Sequence, residues 1–79
     1  MTARKFYTHL EFILELEPNT IHGTEALQDF EGWDSLSKLS FIAMGDAELD
    51  TIVSAEALSG CKTVADLVGL FDGKIAHKE

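Results

Sequence analysis

The feature that most restricts the fold of this chain is the helical spacing of its apolar residues. In the first stretch, the residues at positions i, i+4, i+7 and i+8 are Phe6, Leu10, Ile13 and Leu14. This spacing places their side chains on one face of an α-helix. We expect the helix to span about 3–16, because Pro18 lacks an amide hydrogen and disfavours helical backbone just before it.

A second apolar period begins directly after Asp34, whose carboxylate is a good acceptor for the free amides of a first helical turn. It predicts a helix over about 35–49, with Gly45 as a weak point in its interior. The stretch before it, 17–34, has no sustained period and is too long for an ordinary connection. Four spaced apolar residues should keep this loop ordered: Ile21, Leu27, Phe30 and Trp33.

Two shorter helices follow. Ser54 can cap a helix over about 55–59, which Gly60 ends. Thr63 and Asp66 resemble a capping box and open a helix over about 64–72. Gly73 should end this last helix, and we expect the tail 73–79 to be loose.

Together these segments predict an all-α protein, a small four-helix bundle with three main helices and one short one. The 79 residues suit a single domain, 1–79, with a thin core. A core of this size leaves no room for a large catalytic cavity.

Charge and composition exclude several classes of function. The chain has 14 acidic and 6 basic residues, a formal net charge of −8. Nucleic-acid binding needs clustered Lys and Arg, so we expect none, whereas basic protein surfaces would be attracted. No apolar run approaches the roughly 20 residues of a membrane span, and the start lacks a leader pattern. We therefore expect a cytoplasmic monomer. Cys61 is a single cysteine, which excludes an internal disulfide and a cysteine-based metal cluster.

One segment of the sequence is a candidate functional site, Asp34-Ser35-Leu36. Ser35 falls at the first helical position, where free backbone amides and the helix dipole favour a negative group. An anion attached to this serine would lie where helix ends often bind phosphate. The local pattern alone also fits a serine that merely helps to cap a helix.

The chain resembles the acyl carrier protein family along almost its whole length. The order of parts is that of the family: an amphipathic helix, a long ordered loop, Asp34-Ser35-Leu36 opening the second helix, a short third helix and a closing fourth. Asp-Ser-Leu is the attachment motif of the family. The resemblance implies that Ser35 carries covalent 4′-phosphopantetheine, with Asp34 and Leu36 beside it.

The resemblance also implies a non-enzymatic function. A phosphopantetheinyl transferase would load the arm from coenzyme A with Mg²⁺, and the thiol of the arm would carry acyl groups as thioesters. Such a carrier would serve fatty-acid, polyketide-like or other specialised acyl metabolism. Such a carrier needs no catalytic base of its own. The three histidines agree with this, because their spacing fits neither a catalytic triad nor a metal site (His9, His22 and His77). We expect these histidines to be solvated.

The expected partners are the transferase and acyl-transfer or acyl-modifying enzymes with basic docking patches. Relatives place acids just after the motif, whereas this chain has Ser37, Lys38 and Ser40 there. Lys38 reverses a charge on a surface that steers partners, which favours a specialised, free-standing carrier. The resemblance places the partner interface at Leu36, Lys38, Ser40 and Ala43.

Relatives hold the acyl chain in an apolar cavity. Residues at the matching positions are Leu39, Gly45, Val53, Cys61 and Leu67. Gly45 replaces a large aliphatic residue, so the cavity is either roomier or closed by a bend of the helix. We expect Cys61 to be a buried packing residue.

Two alternatives remain open. Peptidyl, aryl and D-alanyl carriers share the serine and the bundle. An acidic helical interaction module that is never modified would use Asp34 and Ser35 only as a cap. An enzyme is disfavoured, because the sequence contains no recognisable nucleophile–base pair or metal cluster.

Overall fold

The structure, a computed structural model, describes residues 1–71 and 73–76. This part of the chain forms helices and no strand, which confirms the all-α prediction. The second and third helices have the predicted bounds. None of the helices in these residues is long and apolar enough to cross a bilayer. The elements are α1 (Ala3–Ile13), a 3₁₀ turn (Leu27–Asp29), α2 (Ser35–Leu49), α3 (Ala55–Ser59) and α4 (Val64–Gly69).

The first helix ends at Ile13, three residues earlier than predicted. Glu15 takes a left-handed backbone conformation with φ of 58°. Its amide donates to the carbonyl of Phe12 at 3.2 Å, and the amide of Leu16 donates to that of Glu11 at 2.8 Å. This pair of bonds is a Schellman motif, which ends the helix before Pro18 can act. The motif usually has glycine at the left-handed position, so Glu15 does not indicate it in the sequence.

Three phenylalanine rings join the helices. Phe6 of α1, Phe41 of α2 and Phe71, just after α4, are fully buried. Each pair of rings meets edge to face, with centroids 5.7 to 5.9 Å apart. Aromatic pairs at this separation add to the stabilisation that burial of their surface supplies. The core therefore contains one ring from each of three segments.

A buried carboxylate anchors the long loop. Glu11 is only 3% exposed, although it lies between apolar residues of α1 and was not expected in the core. It accepts hydrogen bonds from the Arg4 guanidinium at 2.8 Å and from the Ile21 amide at 2.9 Å. The amide of Asn19 donates to its other oxygen at 3.3 Å. A buried charge is tolerated when it is paired and hydrogen-bonded in this way.

The second half of the loop covers the start of α4. Leu27 is 2% exposed, and its amide donates to the carbonyl of Lys62 at 2.8 Å. The amide of Val64 donates in turn to the carbonyl of Glu25 at 3.0 Å. The 3₁₀ turn that contains Leu27 was not predicted, because three residues are too few to show a period.

The fourth helix ends at Gly69, not near residue 72. The amides of Leu70 and Phe71 donate to the carbonyls three residues before them, at 3.1 and 3.2 Å. Bonds of this type tighten the last turn and stop the α-helical ladder. Position 72 lies outside the described residues.

The tail is not loose over 73–76. Ile75 is 3% exposed and belongs to the core. The amide of Ala76 donates to the carbonyl of Met1 at 2.8 Å, so the two ends of the described chain lie side by side. The ammonium of Lys74 donates to the carbonyl of Leu49 at 3.1 Å and satisfies part of the carboxyl end of α2. A single apolar residue in a short polar segment carries no period, which is why the prediction was wrong. The rest of the predicted tail, 77–79, lies outside the described residues.

Candidate functional site

The start of α2 is held by a reciprocal cap. The carboxylate of Asp34 accepts a hydrogen bond from the amide of Ser37 at 2.9 Å. The hydroxyl of Ser37 accepts one from the amide of Asp34 at 2.8 Å. This is a capping box. The hydrogen bond from the Ser37 amide lowers the pKa of the Asp34 carboxyl below its ordinary value. The cap is therefore strongest when this carboxyl is ionised.

The cap leaves Ser35 available. Ser35 is the first residue of the 15-residue helix and is exposed, and the cap is formed by its neighbours Asp34 and Ser37. The amides of the first turn and the dipole of the helix favour a negative group at this end. Leu36, the next residue, is 73% exposed. An outside molecule can therefore reach both the serine and the apolar side chain beside it.

A positively charged side chain, Lys38, lies one turn further along α2. The ammonium of Lys38 lies 5.8 Å from the ring centroid of Trp33, within the range of a cation–π contact. Trp33 is half-buried and packs edge-on against Phe41, with centroids 6.1 Å apart. Residues three apart on a helix are neighbours, so Lys38 and Ser35 lie on the same face. Of the predicted interface residues, Lys38 is half-buried and the others are exposed: Leu36, Ser40 and Ala43.

The structure does not gather the five predicted cavity residues around one space. Leu39 is 64% exposed on the outside of α2, whereas Val53 and Leu67 are buried in the core. At Gly45 the ring of Phe71 fills the place of a side chain. A Cβ atom there would lie 2.9 Å from a carbon of that ring. The glycine therefore makes room for an aromatic ring of the core, a reason that its sequence position does not reveal.

Cys61 is half-buried rather than buried. Its thiol donates to the carbonyl of Ala57 at 3.5 Å. Partial burial, and to a smaller extent the negative charge of Asp66, raise the pKa of the thiol above its ordinary value. A thiol in this setting is a weak nucleophile at neutral pH.

A surface groove that the sequence did not predict runs along α1 and α2 beside this site. It continues past the end of α1 to residues 29–32 of the long loop. It consists of three adjoining clefts of about 550, 410 and 600 Å³, and neighbouring clefts share lining residues. We call it the α1–α2 groove. Its most conspicuous member is Phe12, which is 84% exposed and lies off the apolar face of α1. Helical spacing, which keeps Phe12 off the face of Phe6 and Leu10, was the available signal for an exposed aromatic residue.

His9 lines one end of this groove and is half-buried, not solvated as expected. Its Nε2 atom is buried without a hydrogen-bond partner and lies 3.9 Å from a carboxylate oxygen of Glu48. His22 is exposed on the long loop, and His77 lies outside the described residues. Within 1–71 and 73–76, no three His, Cys, Asp or Glu side chains are grouped to hold a metal ion.

The chain matches no protein-family model, no curated protein and no solved structure. Three features of the chain therefore bear on its function: Ser35, its surroundings and the motif that contains it.

Proposed function

We propose that this protein is an acyl carrier protein that holds acyl groups as thioesters on 4′-phosphopantetheine attached to Ser35. One observation carries the proposal: Ser35 is exposed at the first position of a long helix whose cap is made by other residues. A serine that served only the cap would have its hydroxyl in the capping bonds. The proposal includes an acyl-carrier-like arrangement of the four helices.

The surroundings of Ser35 fit a phosphodiester. The free amides and dipole of the α2 start favour its negative charge. The carboxylate of Asp34, the nearest acid in sequence, already accepts the Ser37 amide. The ammonium of Lys38 is on the same face, one turn away. When attached, the phosphopantetheine supplies the thiol that forms the thioester.

The protein is a substrate in the loading reaction, not its catalyst. The Ser35 hydroxyl attacks the phosphorus of coenzyme A that bears the pantetheine arm, and the pyrophosphate bond between this phosphorus and the 3′,5′-ADP part breaks. The hydroxyl proton passes to a base of the transferase, and 3′,5′-ADP leaves. The contribution of this chain is to present Ser35 on a rigid, capped helix end.

The surface around Ser35 suits docking by basic enzymes. Leu36 and Leu39 are large exposed apolar side chains on α2, and the chain has a net charge of −8. Apolar anchors within an acidic surface match partners that combine an apolar contact with a basic rim. Because Lys38 adds a positive charge near the attachment point, we propose a specialised acyl pathway. We also propose that the protein acts in the cytoplasm.

The route of the cargo depends on Phe71. Its ring fills the space beside Gly45, so an acyl chain can enter the core there only if the ring moves. Loading a medium-chain acyl group and recording NMR shifts distinguishes the two routes. Shifts at Gly45 and Leu67 would show entry into the core. Shifts confined to Ser35 and Leu36 would show a cargo that stays at the surface.

A second candidate is favoured by the capping box itself, because Asp34 and Ser37 explain the helix start without any modification. In this case the protein is an acidic helical interaction module. Carriers of peptidyl, aryl or D-alanyl groups agree with the same site and differ only in cargo.

Intact-mass measurement separates a carrier from an unmodified module. The protein is incubated with coenzyme A, Mg²⁺ and a broad-specificity phosphopantetheinyl transferase. We expect a gain of one phosphopantetheine in the wild type and none in Ser35→Ala. Ser40→Ala is the matched control, because Ser40 is exposed on the same helix and should leave the gain unchanged. An unmodified wild type beside a carrier control that is loaded would contradict the proposal.

A further inference from the structure

The α1–α2 groove has an apolar wall and a floor that includes three small side chains. The wall is Phe12, with Ile13 beside it. The floor is the face of α2 on which Ser40, Ala43 and Ala47 follow one another at helical spacing. Small side chains at such spacing let a second backbone approach closely, and an exposed aromatic residue beside them is a typical anchor for a partner.

The charges around the groove have one sign. The Glu15 and Asp34 side chains line the cleft nearest Ser35, and Glu48 lines the opposite end. Asp29 and Glu31 line the third cleft, next to Glu15. Among the residues that the structure describes, no Lys or Arg lines any of the three clefts. The groove therefore attracts positive charge at both of its ends.

The end near Glu48 also offers an accessible acceptor. The Glu48 carboxylate lies 3.9 Å from the buried Nε2 atom of His9, and the Glu48 side chain is 45% exposed. A basic side chain that enters the groove at this end can therefore reach the carboxylate.

From these observations we infer that the α1–α2 groove binds an amphipathic helix of a partner protein, with an apolar stripe flanked by basic residues. The apolar stripe meets Phe12 and the small residues of α2, and the basic flanks meet the acids at both ends. A second copy of this chain fits poorly, because two molecules of net charge −8 repel each other. An anionic membrane surface is disfavoured for the same reason. The partner helix would bind to this groove without phosphopantetheine on Ser35.

The test uses the unmodified chain of residues 1–79 and two synthetic helical peptides with the same Leu and Ala stripe. One peptide has Lys on its flanks and the other has Glu. We expect the Lys peptide to shift the NMR signals of Phe12, Ala43 and Ala47, and high salt to weaken its binding. The Glu peptide should leave these signals unchanged.

Two variants test the groove itself. Phe12→Ser removes the anchor, and Ala47→Lys places a positive charge on the floor. Each should weaken binding of the Lys peptide by about tenfold or more. Ile52→Ser is the matched control, because Ile52 is also 84% exposed but lines none of the three clefts. It should leave the affinity unchanged, and circular dichroism checks that all three variants are folded.

Several outcomes would overturn the inference. Equal binding of the two peptides, equal effects of Phe12→Ser and Ile52→Ser, or shifts away from the groove would each do so. Groove signals that move with protein concentration alone would identify a second copy as the occupant instead. Loading of Ser35 is measured separately by mass, so this inference and the proposed carrier function can fail independently.

Discussion

Two helices of this protein begin with the same local device and differ in what surrounds it. At α2 the box is formed by Asp34 and Ser37, and at α4 by Thr63 and Asp66. The amide of Asp66 donates to the Thr63 hydroxyl at 3.3 Å, and the Thr63 amide donates back to the Asp66 carboxylate at 3.1 Å. Both boxes satisfy the free amides of a first turn.

The first residues of α2 and α4 differ in their exposure to solvent. Val64, which opens α4, is fully buried, because the loop around Leu27 lies over it and the Val64 amide donates to the carbonyl of Glu25. Ser35, which opens α2, is exposed beside the exposed Leu36. A cap shows where a helix begins. Whether the helix end is open to other molecules depends on residues that are distant in sequence.

We expect the largest difference between the starts of α2 and α4 in covalent loading with phosphopantetheine. Ser35→Ala should lose all phosphopantetheine. Ser54→Ala and Thr63→Ala, which remove hydroxyls at the caps of α3 and α4, should be loaded to the same extent as the wild type. Only the open helix end presents an acceptor, and intact mass with transferase and coenzyme A measures it. Loading of Ser35→Ala would break the comparison.

The next effect concerns the loop that covers α4. Leu27→Ala should destabilise the fold by about 2–5 kcal/mol, because it removes a buried side chain and leaves a cavity. Leu36→Ala removes the same atoms from an exposed position and should change stability by less than about 0.5 kcal/mol. Urea unfolding followed by circular dichroism gives both values. Similar losses would mean that the start of α2 is covered as well.

A polar residue at the start of α4 and an apolar residue at the start of α2 should have a smaller effect on stability. Val64→Ser places a hydroxyl in the core and should cost about 2 kcal/mol. Ser35→Val adds an exposed apolar side chain and should change the free energy of unfolding by less than about 0.5 kcal/mol. Thermal unfolding measures the pair. A large loss in Ser35→Val would indicate a structural role for Ser35 that the open helix end does not show.

Acid should affect the two caps alike, and this is the smallest effect. The Ser37 amide lowers the pKa of Asp34, and the amides of Lys62 and Thr63 lower that of Asp66. A carboxyl with a lowered pKa stabilises the folded state above its unfolded-state pKa, and this contribution is lost as pH falls through the folded-state value. The amide NMR signals of Ser37 and Thr63 should both titrate below the ordinary range of an aspartate. Asp34→Asn should abolish the titration of Ser37 only. If either amide signal titrated with a midpoint at the ordinary pKa of an aspartate, the two caps would differ in their response to acid.

Much of the helical structure is evident from the sequence because it depends on local chemistry. Asp34 and Ser54 are side-chain caps, and they mark the beginnings of α2 and α3. The end of α1 escaped prediction because its Schellman motif uses Glu15, a residue that rarely takes a left-handed conformation.

The site was predictable to a smaller extent. The position of Ser35 at the start of α2 follows from the cap before it. Its exposure, and three other features, depend on contacts between different segments. The long loop brings two amides to Glu11, which no helical period indicates. Phe71 fills the space at Gly45, and the groove beside Phe12 exists only once α1 and α2 pack together. Spacing within one segment contains none of this information.

The Glu11 carboxylate has a consequence for the order of folding. Its bonds to Asn19 and Ile21 join residues 8 and 10 positions apart, whereas the Leu27–Lys62 contact joins residues 35 positions apart. Short loops lose less entropy on closure, so contacts between near neighbours form faster. We therefore expect α1 and the first part of the loop to be structured in the rate-limiting transition state. Substitutions at Glu11 should then slow refolding, and those at Leu27 should mainly accelerate unfolding.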